Sequence, residues 1–217
     1  MKIKYLLAAL LLSISAQFLY SQIEADLRIG TEMGYHNDFS IVKSSEGIQN
    51  VPYLFGFNID AQMEYEGLFG RLGFVSRFNN SSGSNLKSSY SNNGLSFSFG
   101  KIFKLKDNMS LDIGLAYIFR TMNINTSASN PQNSISGNHI SFYDGVNLLN
   151  IYKYSHGLGA DIGLKLVDDL YVTLFYELDL SKSRWQSLNG KLINATKDPL
   201  NFLGLKIQYS IARIFEK

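Results

Sequence analysis

Histidine and serine are the first residues of this sequence to consider for chemistry, because a histidine can activate a nearby serine as a nucleophile. The chain has three histidines, His36, His139 and His156, and no cysteine, so disulfides and cysteine-ligated metal sites are excluded. His139 and Ser141 are two residues apart, which would place them on one face of a strand. Such a pair needs a third, orienting group, and Asp144 is only nearby in sequence. The spacing raises acyl hydrolysis as a hypothesis, beside a structural role for each histidine.

Ionisable residues of both signs are the second chemical feature, because they recur at alternate positions along the chain. The acidic members are Glu32, Asp60, Glu64, Glu66, Asp112, Asp161, Glu177 and Asp179. The basic members are Arg28, Arg71, Arg77, Arg120, Lys153, Lys165 and Lys206. No glycine-rich phosphate loop, metal-ligand cluster or pair of catalytic carboxylates stands out, so we predict no catalytic residue, no metal site and no cofactor.

The elements that carry these residues are predicted to be β-strands, since apolar and polar residues alternate with a period of two. The clearest stretch, from Tyr53 to Glu66, has seven successive alternate positions that are apolar or aromatic. Eight stretches of this kind lie near residues 25–35, 53–66, 68–78, 95–100, 111–120, 152–166, 172–180 and 203–212. About ten residues are enough to cross a bilayer as a tilted strand.

Short and long connections alternate between the eight stretches. Short turns are predicted near Glu66–Gly67, Lys104–Asn108 and Val167–Asp169. Long, solvent-facing loops are predicted at His36–Pro52, Asn79–Asn92, Asn125–Asn150 and Ser181–Pro199, with His36 in the first of them. This alternation is typical of outer-membrane barrels and puts both termini on the periplasmic side. We therefore predict an all-β fold, an eight-stranded antiparallel up-and-down transmembrane β-barrel.

A soluble barrel or sandwich is the structural alternative, because alternation by itself gives one apolar and one polar face in either case. Glycines recur on the polar face, where they would make room inside a barrel that eight strands leave only just wide enough for side chains. Aromatic residues also lie near strand ends, as interfacial girdles would place them. They are Tyr35, Tyr53, Tyr65, Phe78, Phe103, Tyr152, Tyr154, Trp185 and Phe215. His156 falls on the lipid-facing side of the sixth stretch.

The polar face of a membrane barrel is its lumen, so the ionisable residues above are predicted to fill it. Unpaired buried charges are costly, and we expect the acids and bases to pair. The most local pair would be Glu64 or Glu66 with Arg71, across the second turn. The alternative is that these charges are solvated and contribute little to stability.

The first 21 residues are predicted to be a signal peptide, which leaves residues 22–217 as one outer-membrane barrel domain. Lys2 and Lys4 precede the apolar run from Tyr5 to Leu12, and Ala16 and Ser21 are plausible cleavage positions. The run is short for a membrane anchor, which needs roughly 20 apolar residues. Without this segment the chain has 18 basic and 18 acidic residues, a balance that gives no footprint for nucleic acid.

With these stretches in place, the chain resembles the small OmpA/OmpX-like outer-membrane β-barrel family of Gram-negative bacteria. The resemblance covers about Ile23 to Phe215 and includes a closing strand, FLGLKIQYSIARIF. It implies outer-membrane lipids and lipopolysaccharide as surroundings. It also implies insertion by the barrel-assembly machinery, which reads an aromatic residue at the end of the last strand; here Glu216 and Lys217 follow Phe215.

Function is less determined than fold, because that family includes adhesins, structural stabilisers and small-solute pores. We predict a structural or surface-interaction role, with outer loops that contact an extracellular ligand or protein partner. The alternatives are a small-solute pore and, since outer-membrane lipid A deacylases are similar in using His and Ser on a barrel wall, a lipid A acyl hydrolase using His139 and Ser141.

Overall fold

Eleven β-strands make up the described part of a computed structural model of the chain. It describes residues 23–37, 51–82, 86–106, 108–128, 140–141, 148–166, 169–188, 191–192 and 197–213. The strands are β1 (Glu24–His36), β2 (Tyr53–Tyr65), β3 (Leu68–Ser82), β4 (Leu86–Lys106), β5 (Met109–Ala128), β6 (Ile140–Ser141), β7 (Leu148–Lys165), β8 (Leu170–Asp179), β9 (Gln186–Ser187), β10 (Lys191–Leu192) and β11 (Phe202–Arg213). No helix among these residues is long and apolar enough to cross a membrane.

The eight long strands close into a ring. Their order is β5-β4-β3-β2-β1-β11-β8-β7, and a further pairing of β5 with β7 joins the two ends. Every pairing is antiparallel, including that of the first strand with the last, where Ile29 pairs with Tyr209. Closure leaves no edge strand in the ring. The predicted fold class, an eight-stranded antiparallel up-and-down β-barrel, is confirmed.

Side chains on the two faces of the ring differ as the membrane interpretation requires. Large apolar side chains point outward and are half-exposed, for example Leu115 at 57% and Phe99 at 67%. Charged residues at the intervening positions, such as Arg77 and Asp112, are buried inside. A soluble barrel would have the opposite arrangement, with its apolar rows packed in the centre, so the chain folds as a barrel of the transmembrane type.

Tight turns close one end of the barrel, which we call the short-turn end; the other is the outer end. Between β2 and β3, Glu66 and Gly67 both have positive φ, 50° and 76°, and Tyr65 pairs with Leu68. This is the conformation that a two-residue hairpin requires, because it matches the right-handed twist of the two strands. The short turn predicted here is confirmed.

Two of the predicted loops are wrong in extent, because the strands that flank them are longer than predicted. The stretch Asn79–Asn92 belongs mostly to β3 and β4, which pair continuously as far as Ser82 and Lys87. The stretch from Asn125 begins inside β5, which pairs with β7 as far as Ser127 and Leu148. Serine and asparagine suggested loops, but neighbouring strands satisfy the backbone hydrogen bonds of these segments.

The outward face of β4 and β5 changes from apolar to polar toward the outer end. Beyond Leu95 and Phe119 the outward positions carry Asn, Ser, Thr and Lys, whereas Tyr90 and Met122 point inward and are buried. From Leu95 to Leu86 the strand extends roughly 30 Å. A polar outward face suits water, so this extension projects above the apolar belt.

Candidate functional site

An ionic layer in the outer half of the lumen joins five strands. Arg77 on β3 donates two hydrogen bonds to Glu177 on β8, at 2.7 and 3.1 Å, and a third to Glu32 on β1. Arg120 on β5 donates to Glu177 at 2.5 Å, and Lys206 on β11 lies 3.9 Å from Glu32. In the ring order β3 and β8 are four strands apart in either direction, so the Arg77–Glu177 pair crosses the full width of the barrel.

A second ionic layer lies nearer the short-turn end. Arg28 on β1 contacts Asp26 at 2.7 Å and Asp112 on β5 at 3.5 Å. Arg71 on β3 contacts Asp112 at 3.8 Å and Asp161 on β7 at 3.4 Å. β1 and β5 are also diametrically opposite in the ring, so a second bridge spans the lumen here. Two such crossings leave no room for a wide channel.

Each of the four lumen arginines also stacks on an aromatic ring. The guanidinium carbon of Arg28 is 3.5 Å from the ring centroid of Tyr171, and that of Arg71 is 4.7 Å from Phe69. Arg77 and Arg120 both lie about 5 Å from the Phe202 ring. Planar guanidinium groups stack well on such faces.

Sequence reasoning did not assign these aromatic residues to the lumen. Phe69, Tyr171, Phe175 and Phe202 are buried with the polar face, although most aromatic residues of the chain face outward. The alternation of β8 could have predicted two of them, since Tyr171 and Phe175 lie on the same face of the strand as Thr173 and Glu177.

Inward glycines stand beside the ionic groups and leave space for them. A Cβ at Gly73 would lie 2.6 Å from a carboxylate oxygen of Asp60, and one at Gly114 would lie 2.9 Å from that of Asp161. Both approaches are closer than real Cβ contacts allow. The spacing of glycines on the polar face therefore follows from the size of the charged residues packed there.

The predicted local pair across the second turn is wrong. Arg71 bonds to Gln62 at 3.0 Å and reaches Asp112 and Asp161, not Glu64 or Glu66. Glu64 pairs in register with Phe69, nearer the turn, and Glu66 is exposed in the turn itself. The side chain of Arg71 points across the lumen, where buried carboxylates compete better for it than exposed ones do.

Four other predicted lumen residues lie outside the two layers. Asp60 accepts a hydrogen bond from Gln208 at 2.8 Å, between the layers. Lys165 is at the short-turn end, 3.7 Å from Asp169 and only partly buried. Lys153 and Asp179 pair at 3.3 Å near the outer end.

An apolar plug lies above the ionic layers at the outer end. Its side chains are almost completely buried and come from six long strands and the segment between β8 and β11. They are Leu54, Leu86, Tyr90, Met122, Ile124, Ile151, Phe175, Trp185, Leu200 and Phe202. The plug therefore fills the outer end of the lumen with mainly apolar side chains.

Asp179 holds the segment that contributes Trp185 and Leu200 to this plug. Its carboxylate accepts hydrogen bonds from the Ser155 hydroxyl at 2.6 Å and from the Leu200 backbone N–H at 2.9 Å. The Trp185 indole N–H donates to Asp198 at 3.0 Å. The Asp179 carboxylate at the end of β8 thus holds the segment both where it leaves β8 and where it approaches β11.

At the short-turn end the lumen opens into a polar cleft of about 200 Å³. Its lining includes Asp26, Arg28, Asp112, Glu64 and Lys104. The lumen is therefore asymmetric, with an ionic cleft at one end and an apolar plug at the other.

Two of the sequence predictions for single residues are corrected here. His36 was expected in the first outer loop, but it ends β1 with a buried side chain, 5.5 Å from the Phe202 ring. Trp185 was expected in an interfacial girdle, but it is 2% exposed in the plug. In both cases packing against the lumen continues past the predicted end of a strand.

His156 lies on the outward face of β7, as its parity predicts, and is hydrogen-bonded to the Tyr117 hydroxyl at 3.0 Å. Of the predicted His139–Ser141 pair, His139 is outside the described residues, and so is Phe215. Ser141 belongs to β6, which pairs with β10 in a separate two-stranded sheet and not in the ring. Among the residues that the structure describes, no group of three acidic, histidine or cysteine residues is placed to bind a metal.

No family model and no curated protein matches the chain. Solved structures similar to it include Ail, the attachment invasion locus protein of Yersinia pestis, at 14% identity over 86% of this chain and 98% of that one, with a TM-score of 0.43. Neisserial surface protein A is 13% identical over 88% and 98%, with a TM-score of 0.43. A major outer membrane protein from Thermus thermophilus is 12% identical over 86% and 99%, with a TM-score of 0.48.

Proposed function

We propose that this chain is an integral outer-membrane protein with a structural or surface-interaction role, and not an enzyme. Its barrel would anchor the chain in the bilayer, and the outer ends of β3, β4 and β5 with their connecting loops would meet extracellular ligands or partners. Residues 1–21 would direct export, and the barrel-assembly machinery would insert the remaining 22–217. Outer-membrane lipids and lipopolysaccharide would surround the belt.

The observation that carries this proposal is the outward apolar belt on a closed ring, combined with an ionic interior. Half-exposed Phe, Leu, Ile and Tyr side chains encircle the barrel, among them Phe57, Phe97 and Leu174. In water such a surface would make the protein aggregate, whereas in a bilayer the apolar side chains contact lipid acyl chains without a desolvation penalty. Only a bilayer satisfies both faces of this ring.

Gel migration of the outer-membrane fraction tests the proposal. A folded barrel stays compact in detergent until it is boiled, so we expect the unboiled protein to migrate faster than the boiled protein and to sediment with outer membranes. A mature chain that stays monomeric and soluble in buffer without detergent would contradict the proposal.

The alternative of a small-solute pore is disfavoured by the two ionic crossings and by the plug. Planar-bilayer recordings separate the two functions. We expect no steady channels from the folded protein, and regular conductance steps would favour the pore. Lipid A acyl hydrolysis, the remaining alternative, predicts a changed acyl pattern in lipid A from expressing cells, which mass spectrometry would detect.

A further inference from the structure

Two basic side chains project from the outer rim of the barrel on the outward side. In the segment that follows β8, exposure alternates from residue to residue, and Lys182 and Arg184 are both exposed, as is Leu180 before them. The intervening Ser181 and Ser183 are partly buried. The segment therefore continues the two-sided pattern of β8 beyond the last residue of that strand.

Hydrogen bonds hold this segment against the barrel. The Leu180 N–H donates to the His156 carbonyl at 2.9 Å, and the Ser183 hydroxyl donates to the Tyr154 carbonyl. On the inner side the Ser181 N–H donates to Asp179 at 2.8 Å. Lys182 and Arg184 are thus carried by a backbone that is fixed at several points.

Beside them lies an aromatic surface on β7 and β5. Tyr154 is 60% exposed, and its ring centroid is 5.5 Å from that of Tyr152. On β7 it lies nearer the outer end than His156. Below this level His156 is hydrogen-bonded to Tyr117, which is itself half-exposed. Tyrosines in such positions occupy the headgroup level of a bilayer.

The patch formed by Tyr117, Tyr154, His156, Lys182 and Arg184 has one sign of charge. None of the outward positions that the structure describes on β5, on β7 and along residues 170–188 carries a carboxylate. The opposite rim mixes signs, with exposed residues of both charges. They are Glu24, Glu66, Lys104 and Lys106.

From the centre of the belt outward, this wall changes from apolar to aromatic to basic. Leu158 pairs with Leu178 on β8 and with Tyr117 on β5. His156 and Tyr154 follow on β7 toward the outer end, and Lys182 and Arg184 lie at the rim. An amphiphile with acyl chains below and phosphates above matches this order. A free anion would use only the rim, and a neutral lipid would use only the belt.

We propose that this patch binds the phosphorylated headgroup of an outer-leaflet glycolipid, with its phosphates on Lys182 and Arg184 and its acyl chains along the wall of β7 and β8. The inference rests on the proposed function, since it requires the barrel to lie in an outer membrane with this rim at the outer leaflet. It adds a specific lipid site to the general lipid contact of the belt.

Lipid retention by the full mature chain, folded in detergent, tests the inference by native mass spectrometry. The probes are bisphosphorylated lipid A, the same lipid after dephosphorylation, and inorganic phosphate. Lys182→Gln/Arg184→Gln should weaken retention of the bisphosphorylated lipid by at least about tenfold, since both basic residues that attract its phosphates are then lost. Lys87→Gln/Lys101→Gln, which removes the same charge from exposed outward positions of β4, should leave retention unchanged.

The swap Lys182→Arg/Arg184→Lys should keep binding, because the charge and not the side-chain identity is required. Three outcomes would each overturn the inference. Both glutamine variants could weaken retention equally, or the wild type could bind the dephosphorylated lipid as tightly as the phosphorylated one. The third is that inorganic phosphate binds as tightly as the phosphorylated lipid. If the wild type keeps its heat-dependent migration in these cases, the proposed function stands. Loss of that migration in the wild type would count against the proposed function instead.

Discussion

At the scale of single residues, the lumen is stabilised by arginines that each meet carboxylates and an aromatic ring. Burial removes these charges from water, so each arginine is tolerated only because its partners are in place. Arg71 is the clearest case, with Asp112 and Asp161 within 4 Å and Phe69 beneath its guanidinium group. Such a network makes the loss of one partner more costly than the loss of a pair.

We expect Arg71→Met to lower the free energy of unfolding by about 3–5 kcal/mol, because Asp161 then lacks its cation in the lumen. The double variant Arg71→Met/Asp161→Leu should recover part of this loss, because Asp112 keeps its contact with Arg28. Urea titration in detergent measures both. If the double variant is as unstable as the single one, the two residues do not act as a pair.

At the scale of elements, the segment between β8 and β11 folds back into the barrel mouth. Asp179 accepts hydrogen bonds from the backbone N–H groups of Ser181 and Leu200, near the two ends of this segment, and Trp185 is buried in the plug. Carboxylates that accept several backbone N–H bonds fix loops strongly. The outer plug therefore depends on a single side chain at the end of one strand.

Asp179→Asn should loosen this segment without unfolding the ring. An amide can accept fewer and weaker hydrogen bonds than a carboxylate and no longer pairs with Lys153. Trp185 is the only tryptophan of the chain, so its fluorescence should shift to longer wavelength and acrylamide should quench it more strongly.

Asp161→Asn, in the ionic layer near the short-turn end, is the matched control and should leave the Trp185 emission as in the wild type. An unchanged spectrum in Asp179→Asn would mean that the plug does not depend on this carboxylate.

At the scale of the whole molecule, the outward face changes from apolar to polar along the barrel axis toward the outer end. Along β5 the outward positions are apolar from Ile113 to Phe119, and beyond them Thr121 and Asn123 are polar. The change marks the outer boundary of the belt on this strand. A charge introduced below that boundary must enter hydrocarbon, whereas one introduced above it stays in water or among headgroups.

Leu115→Arg should lower the free energy of unfolding by about 2–4 kcal/mol in lipid vesicles, as lipid-facing cations near the middle of a bilayer do. Asn123→Arg, on the same face of the same strand, should cost roughly 0–1 kcal/mol. Leu115 is already 57% exposed, so a soluble barrel would tolerate the arginine there. Equal stability of both variants would place the belt in water.

The sequence by itself determined the strand pattern and its two faces. Strict alternation over stretches such as Tyr53–Tyr65 is readable because side chains of a strand point to opposite sides at every step. The number of long strands, the tight turn at Glu66–Gly67 and the outward position of His156 all followed from that local rule. The local rule failed where serine and asparagine continue a strand, as in β3 and β4 beyond Phe78.

Only the tertiary structure decided which charges meet. Arg77 contacts Glu177 and Arg28 contacts Asp112 because closure of the ring places strands that are four positions apart in the sheet opposite each other. No local sequence pattern encodes this proximity. The same holds for the plug, where Trp185 packs between elements distant in sequence. Alternation fixes the side of the sheet on which a residue lies, whereas register and closure fix its partner, since these depend on all eight strands at once.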